Sequence, residues 1–154
     1  AMYRHHVWTW DFIFDRTDSG GTLKMMTLLD EYTRQCLTIQ VERQITATQV
    51  LAVLEKAMIR YGVPDYIRSD NGPEFIAAKV QQGLKDHHIK TIYIEPGSPW
   101  QNGYIESLHS RFRDECLSRE WLLNLREARV VIEDWRQHRY RIRPHGGLGY
   151  KSLW

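Results

Sequence analysis

The chain has 154 residues, 42% of them hydrophobic and 26% charged, with a formal net charge of +2. These proportions fit a globular domain with a substantial core and exclude a low-complexity chain. No apolar run approaches the roughly 18 residues a membrane span needs, and residues 1–10 lack a secretory cleavage pattern, so no membrane partner and a cytoplasmic location are expected.

Residues 7–15, VWTWDFIFD, alternate. Trp8, Trp10, Phe12 and Phe14 share one face, and Thr9, Asp11, Ile13 and Asp15 the other, which predicts a strand. A turn at 18–21 precedes two further strands at 22–30 and 34–41, and the short links imply an antiparallel meander. Thr46 and Gln49 form a capping-box pattern. It opens a helix whose apolar residues recur at helical spacing as far as Tyr61, and Gly62 and Pro64 end it. A short strand follows at 65–70. Residues 73–88 read as a helix with Pro in its first turn, and 89–95 as another strand. The segment 96–103 is loop, 103–119 a helix, and Asn124 with Glu127 opens a last helix. Strands joined by helices are expected to be parallel neighbours. The order β-β-β-α-β-α-β-α-α then predicts an α/β domain, with a mixed sheet covered by helices on its faces.

Cys36 and Cys116 are far apart and form no CxxC motif, which suits a reducing compartment. Charge is uneven, with a net −2 in residues 1–110 and +4 in 111–154. The stretch RQHRYRIRPH at 136–145 has four arginines and no acid. It is either a solvated helix end or a phosphate-contacting patch that includes Arg139 and Arg141.

Three acids stand out by position. Asp11 interrupts a large apolar strand, where an unpaired charge is costly. Asp70 ends the fourth strand, just ahead of the turn residues Asn71-Gly72-Pro73. Glu106 lies one turn into a helix, beside its apolar stripe. A lone Asp before Asn-Gly is ordinarily a turn or cap residue. If the first and fourth strands are adjacent, however, Asp11 and Asp70 meet, and the helix at 103 can bring Glu106 beside them. Three carboxylates about 4 Å apart repel by roughly 4 kcal/mol per pair, so such a cluster requires a cation or shared protons. Hard oxygen ligands select Mg²⁺ or Mn²⁺.

The segments WTWDF, SDNGPEF, SPWQNGYIESLHSRFRDE and RPHGGLGY, in that order, resemble the catalytic core of bacterial insertion-sequence transposases. These are relatives of retroviral integrases with a ribonuclease-H-like fold. The likeness runs from about Trp8 to Tyr150. Such cores carry an Asp, Asp, Glu triad with 35 residues between the last two, and 35 residues separate Asp70 from Glu106 here.

The resemblance implies a mixed five-stranded sheet, an antiparallel meander plus parallel strands, flanked by helices. It implies a polynucleotidyl transferase in which Asp11, Asp70 and Glu106 hold two Mg²⁺ (or Mn²⁺) ions for phosphodiester cleavage and DNA strand transfer. A hydrolytic nuclease and an inactive DNA-binding remnant are the alternatives. DNA is the expected partner, with a homo-oligomer in the active complex. Arg113 matches a basic DNA-gripping position, whereas Ser110 replaces another. Trp100 and Gln101 lie in a loop that approaches DNA in the family, where Trp100 either packs half-buried or stacks on a base. Asn71 and Gly72 shape the turn that holds Asp70, and Asn102 supports the loop. Asp15 is the rival for the first triad position, and Glu74 reads as a first-turn acid. Family members carry a helix-turn-helix part ahead of the core. Residues 1–154 are therefore expected to be the catalytic core domain alone, with 120–154 as its helical C-terminal extension.

Overall fold

A computed structural model of the chain describes residues 1–140. Strands β1 (Val7–Arg16), β2 (Thr22–Asp30) and β3 (Cys36–Glu42) form the expected meander. Helix α1 (Ala47–Tyr61) then leads to β4 (Tyr66–Ser69). Helices α2 (Pro73–Ile76) and α3 (Ala78–Asp86) lead to β5 (Lys90–Tyr93). A 3-10 turn (Pro99–Asn102) precedes α4 (Gly103–Phe112), which passes into a π-helical turn (Arg113–Leu117), and α5 (Leu125–Tyr140) follows. The sheet order is β3-β2-β1-β4-β5. The β1–β2 and β2–β3 pairs are antiparallel, and β1–β4 and β4–β5 are parallel.

Alternation in β1 divides its side chains between two cores. Trp8 and Trp10 join Met26, Leu28, Leu54, Phe75 and Leu84 on the face covered by α1–α3. Ile13 joins Met25, Leu29, Ile105, Leu108, Phe112 and Ile132 on the face covered by α4 and α5. Burial on both faces explains why β2 reads as a near-continuous apolar run. Phe14, predicted to share the Trp8 face, is 53% exposed at the far end of β1. The capping box is present, with Thr46 Oγ1 accepting from Gln49 N and Gln49 Oε1 accepting from Thr46 N. Asn124 Oδ1 likewise accepts from Glu127 N at 2.8 Å.

Three expectations need correction. The helix α1 does not join neighbouring strands: it carries the chain from β3 across β2 and β1, and β4 docks on the open edge of β1. The predicted helix over 73–88 is broken at Ala77, whose backbone is extended (φ −57°, ψ 144°). Its two halves have separate anchors. Phe75 stacks between Trp10 and Phe12, whereas Gly83 lies so close to α1 that a Cβ there would meet Leu51 Cδ1 at 2.4 Å. Finally, Arg136 is not a surface phosphate contact. It is buried in the α5–β3 packing, with a fork onto Glu133 and Nη1 donating to Cys36 O at 3.1 Å. Arg141 and Arg143 lie outside the described residues.

Candidate active site

The parallel register pairs Thr9 with Arg68, and extending it two positions sets Asp11 opposite Asp70. Side chains on either side of each acid lock this alignment. Trp10 Nε1 donates to Ser69 Oγ at 2.7 Å, and Ser69 Oγ donates to Asp70 O at 2.8 Å. Trp10, Phe75 and Phe12 form a three-ring stack, with centroids 4.9 and 4.6 Å apart. The even positions of β1 thus hold the strand and turn that carry Asp70, while the odd positions present Asp11 to the opposite face. Lys24 ties β2 to the same turn through an ion pair with Glu74. That partner, more than a helix end, accounts for Glu74, and it keeps the Glu74 carboxyl below its ordinary range despite partial burial.

The turn after β4 uses neither of its residues for a left-handed conformation. Gly72 has φ −54° and ψ 142°, extended as expected for a residue before proline, and Asn71 is not among the positive-φ residues. What distinguishes the glycine is the tight space beside Asp70. Gly72 N donates to Asp70 Oδ1 at 2.8 Å, and a Cβ at Gly72 would stand 3.1 Å from that oxygen and 3.4 Å from Phe75 Cδ2. Asn71 is exposed.

Burial pushes the Asp11 carboxyl up to about 6, and the neighbouring Asp70 adds to the shift, while the Phe12 N–H and the Asn102 side chain pull it back. Asn102, placed by sequence only as a support, therefore reaches Asp11 from the loop before α4. Its carbonyl oxygen is buried without a partner. A desolvated Asp11 carboxyl thus stands beside Asp70 and the unpartnered Asn102 carbonyl oxygen. These oxygen donors fit Mg²⁺ or Mn²⁺.

Glu106 lies on α4 between two residues that dock around Asp11. Asn102 precedes it by four positions. His109 follows it by three, with Nε2 2.7 Å from Thr27 Oγ1, and Thr27 is the β2 partner of Asp11. All three share one helix face, and the Glu106 side chain is exposed at its edge. Among the described residues no three His, Cys, Asp or Glu side chains converge closely enough to hold a metal. The structure therefore brings Asp11 and Asp70 together and leaves Glu106 exposed on α4, outside any converging set of three. Asp15, the rival acid, is four residues farther along β1, and its Oδ1 accepts from Arg16 N.

The expected DNA-contacting residues are dispersed. Trp100 is 74% exposed in the loop before α4, and Gln101 Oε1 accepts from Glu95 N at 2.8 Å. Arg113 is exposed and donates to Phe14 O at 3.1 Å. Arg139 lies near Glu115 at 3.4 Å, on α5. Both cysteines are buried, and burial pushes their thiols up to about 12.

Comparison with known proteins gives one consistent answer. A family model described as integrase core domain matches residues 3–99, and a second of the same description matches residues 87–152. An uncharacterized 39.2 kDa protein of insertion element IS476 from Xanthomonas euvesicatoria is 42% identical over 143 residues, covering 93% of this chain and 41% of that protein. An uncharacterized 31.7 kDa protein of insertion element IS407 from Burkholderia multivorans is 37% identical over 146 residues, covering 95% and 53%. The chain thus spans about half or less of the curated relatives it matches. The catalytic core domain of HTLV-2 integrase in complex with magnesium superposes with a TM-score of 0.64 at 17% identity, covering 98% of this chain and 94% of that one. The catalytic core domain of BIV integrase gives 0.68 at 22%, covering 96% and 90%. The fold is therefore the ribonuclease-H-like fold of these cores, as expected from sequence.

Proposed function

This chain belongs to the integrase core domain family, and from that premise we propose that it is the catalytic core of an insertion-element transposase that cleaves and joins DNA strands. The observation that carries this reading is the meeting of Asp11 and Asp70 on adjacent parallel strands, with Glu106 on the helix that docks over Asp11. Asp11, Asp70 and Glu106 would hold two Mg²⁺ or Mn²⁺ ions. Such ions, when bound, activate the attacking oxygen and stabilise the leaving oxygen of an in-line phosphoryl displacement.

The chain's own groups have separate tasks. The Trp10–Ser69 bond and the aromatic stack fix the spacing of Asp11 and Asp70. Asn102 and His109 seat α4 against β1 and β2, which sets how far Glu106 must move to join the pair. Positioning of this kind supplies much of the rate of phosphoryl transfer. Arg113, Trp100, Gln101, Arg139 and Arg141 are the candidate DNA contacts. DNA is the proposed substrate and partner, a homo-oligomer the proposed active form, and the bacterial cytoplasm the proposed location. No helix among the described residues is long and apolar enough to cross a membrane. Residues 1–154 act as the core domain, with 120–154 as its extension.

A strand-transfer assay with Mn²⁺ and a labelled DNA end tests this reading. Joined products are expected, and their loss in Glu106→Gln. Nicking without joining would indicate a hydrolytic nuclease, and binding without cleavage an inactive remnant.

A further inference from the structure

Glu31 follows directly on β2 and is 2% exposed. Its N–H donates to Val7 O in β1 at 3.0 Å. Its carboxylate accepts from Thr9 Oγ1 in β1 and from Arg68 in β4, with Nε at 2.7 Å and Nη2 at 3.3 Å. Its carbonyl accepts from Arg34 Nε at 2.7 Å, and the Arg34 guanidinium lies 3.7 Å from the ring centroid of Tyr104 in the first turn of α4. The elements reached in this way are the ones that carry the acids. Thr9 stands two residues before Asp11, Arg68 two before Asp70, and Tyr104 two before Glu106.

Stability does not account for this arrangement. A buried ion pair returns little net stabilisation, because desolvation offsets most of its attraction. What it supplies is geometry, since a guanidinium fork holds a carboxylate in one plane. Arg34 also stands at φ 63°, a left-handed conformation that glycine adopts freely and a side chain only at a cost. Glycine would therefore serve the tight turn between β2 and β3 better, and what Arg34 contributes is its side chain. In the strands, Thr9 and Asp11 share a face, as do Arg68 and Asp70, so fixing the first of each pair sets the spacing of the acids. In α4, residues two apart do not share a face. The Arg34–Tyr104 contact therefore sets the rotation of α4 about its axis, and with it the direction of Glu106.

We propose that Glu31 and Arg34 are positioning residues for DNA joining, forming a hub through which β1, β4 and α4 hold Asp11, Asp70 and Glu106 as one set. Both act through Thr9, Arg68 and Tyr104 rather than by touching DNA or metal. Loss of the hub loosens the three acids together, so the effect falls on metal affinity and on the rate of joining more than on folding. This inference rests on the reading of the chain as a DNA-joining enzyme whose acids hold metal ions.

Arg34→Gly tests the hub at an exposed position, because it removes the side chain and relieves the backbone at once. Its urea midpoint should stay close to that of the parent. Without DNA, the rise in thermal midpoint caused by Mn²⁺ should nevertheless shrink, to an extent that corresponds to roughly fivefold weaker binding. Single-turnover joining at saturating DNA should fall roughly tenfold, while duplex binding in metal-free buffer keeps its affinity within about twofold and its salt slope. Glu31→Gln, with folding checked by circular dichroism, keeps an acceptor for Thr9 but loses the charge that holds the Arg68 fork, and it should show the same two losses. If it does not fold, Arg34→Gly alone decides. A parental Mn²⁺ response or parental joining in Arg34→Gly overturns the inference and leaves the proposed function standing. So does a fall in its urea midpoint large enough to account for the lost joining, which makes the contact merely structural. So does a loss of duplex affinity and salt slope with the joining rate at saturating DNA unchanged, which makes Arg34 a DNA contact. A parent that joins no DNA and whose thermal midpoint ignores Mn²⁺ overturns both.

Discussion

Trp10 donates its indole N–H to Ser69 Oγ at 2.7 Å, and each of these residues immediately precedes one of the two acids that meet at the candidate site. Both are buried in the sheet. Ser69→Ala would leave the indole N–H without a partner, at a cost of about 1–3 kcal/mol. Urea denaturation should show that loss. Single-turnover joining should fall further than stability alone explains, because the spacing of Asp11 and Asp70 is loosened.

Asp11 gives a pH signature. Its carboxyl is pushed up to about 6 from 3.8, chiefly by burial. The folded state therefore holds this proton more tightly than the unfolded state, and folding weakens as pH rises from about 4 to 6. Asp11→Asn removes that slope. Above pH 6, in metal-free buffer, it should be more stable than the parent by about 1–3 kcal/mol, with the difference vanishing below about pH 4. His109 acts in the opposite sense. Burial, helped by Arg113, pushes it down from 6.5 to about 4, so its contribution is present above about pH 6.5 and is lost as pH falls towards 4. Denaturation midpoints between pH 4 and 8 should thus rise with pH in Asp11→Asn and fall with pH in His109→Asn.

Metal linkage tests the acid pair. Mg²⁺ or Mn²⁺ should raise the thermal midpoint in proportion to RT ln(1 + [L]/Kd). Asp70→Asn should abolish the rise while the fold persists. A metal-induced shift of parental size in this variant would remove Asp70 from the ligand set.

Gly72→Ala separates fold from site. The backbone there suits any residue (φ −54°), so stability should change by less than about 1 kcal/mol. The new Cβ would press on Asp70 Oδ1 at 3.1 Å and displace the carboxylate. Metal-induced stabilisation and joining should therefore fall in a protein that denatures almost like the parent.

The arginines should divide by burial. Arg136→Ala takes from the Cys36 carbonyl its Arg136 donor inside the α5–β3 packing, whereas Glu133 is 45% exposed and keeps Gln137 as a donor, so the change should destabilise the fold by about 1–3 kcal/mol. Arg113→Ala, at an exposed position, should leave stability nearly unchanged. It should flatten the slope of log affinity against log salt by about 0.9 on duplex DNA and reduce joining more than binding.

Local physics carried much of this protein. The two-residue alternation of β1, the Thr46–Gln49 box, the Asn124 cap and the 35 residues between Asp70 and Glu106 are short-range or purely linear properties, and all were legible without a structure. Sheet order was not, because a strand's neighbour is chosen by which edge buries the most apolar surface, and β4 found that edge on β1 rather than on β3. Nor was the burial of Arg136: in a run of basic residues helical periodicity marks a face, but only the docked strand decides whether that face meets water or the Cys36 carbonyl of β3. Asn102 against Asp11, and Glu31 beneath Arg68 and Thr9, join residues from separate elements. Such contacts exist only once the long-range packing has closed, since no local spacing encodes the distance between one strand and the next.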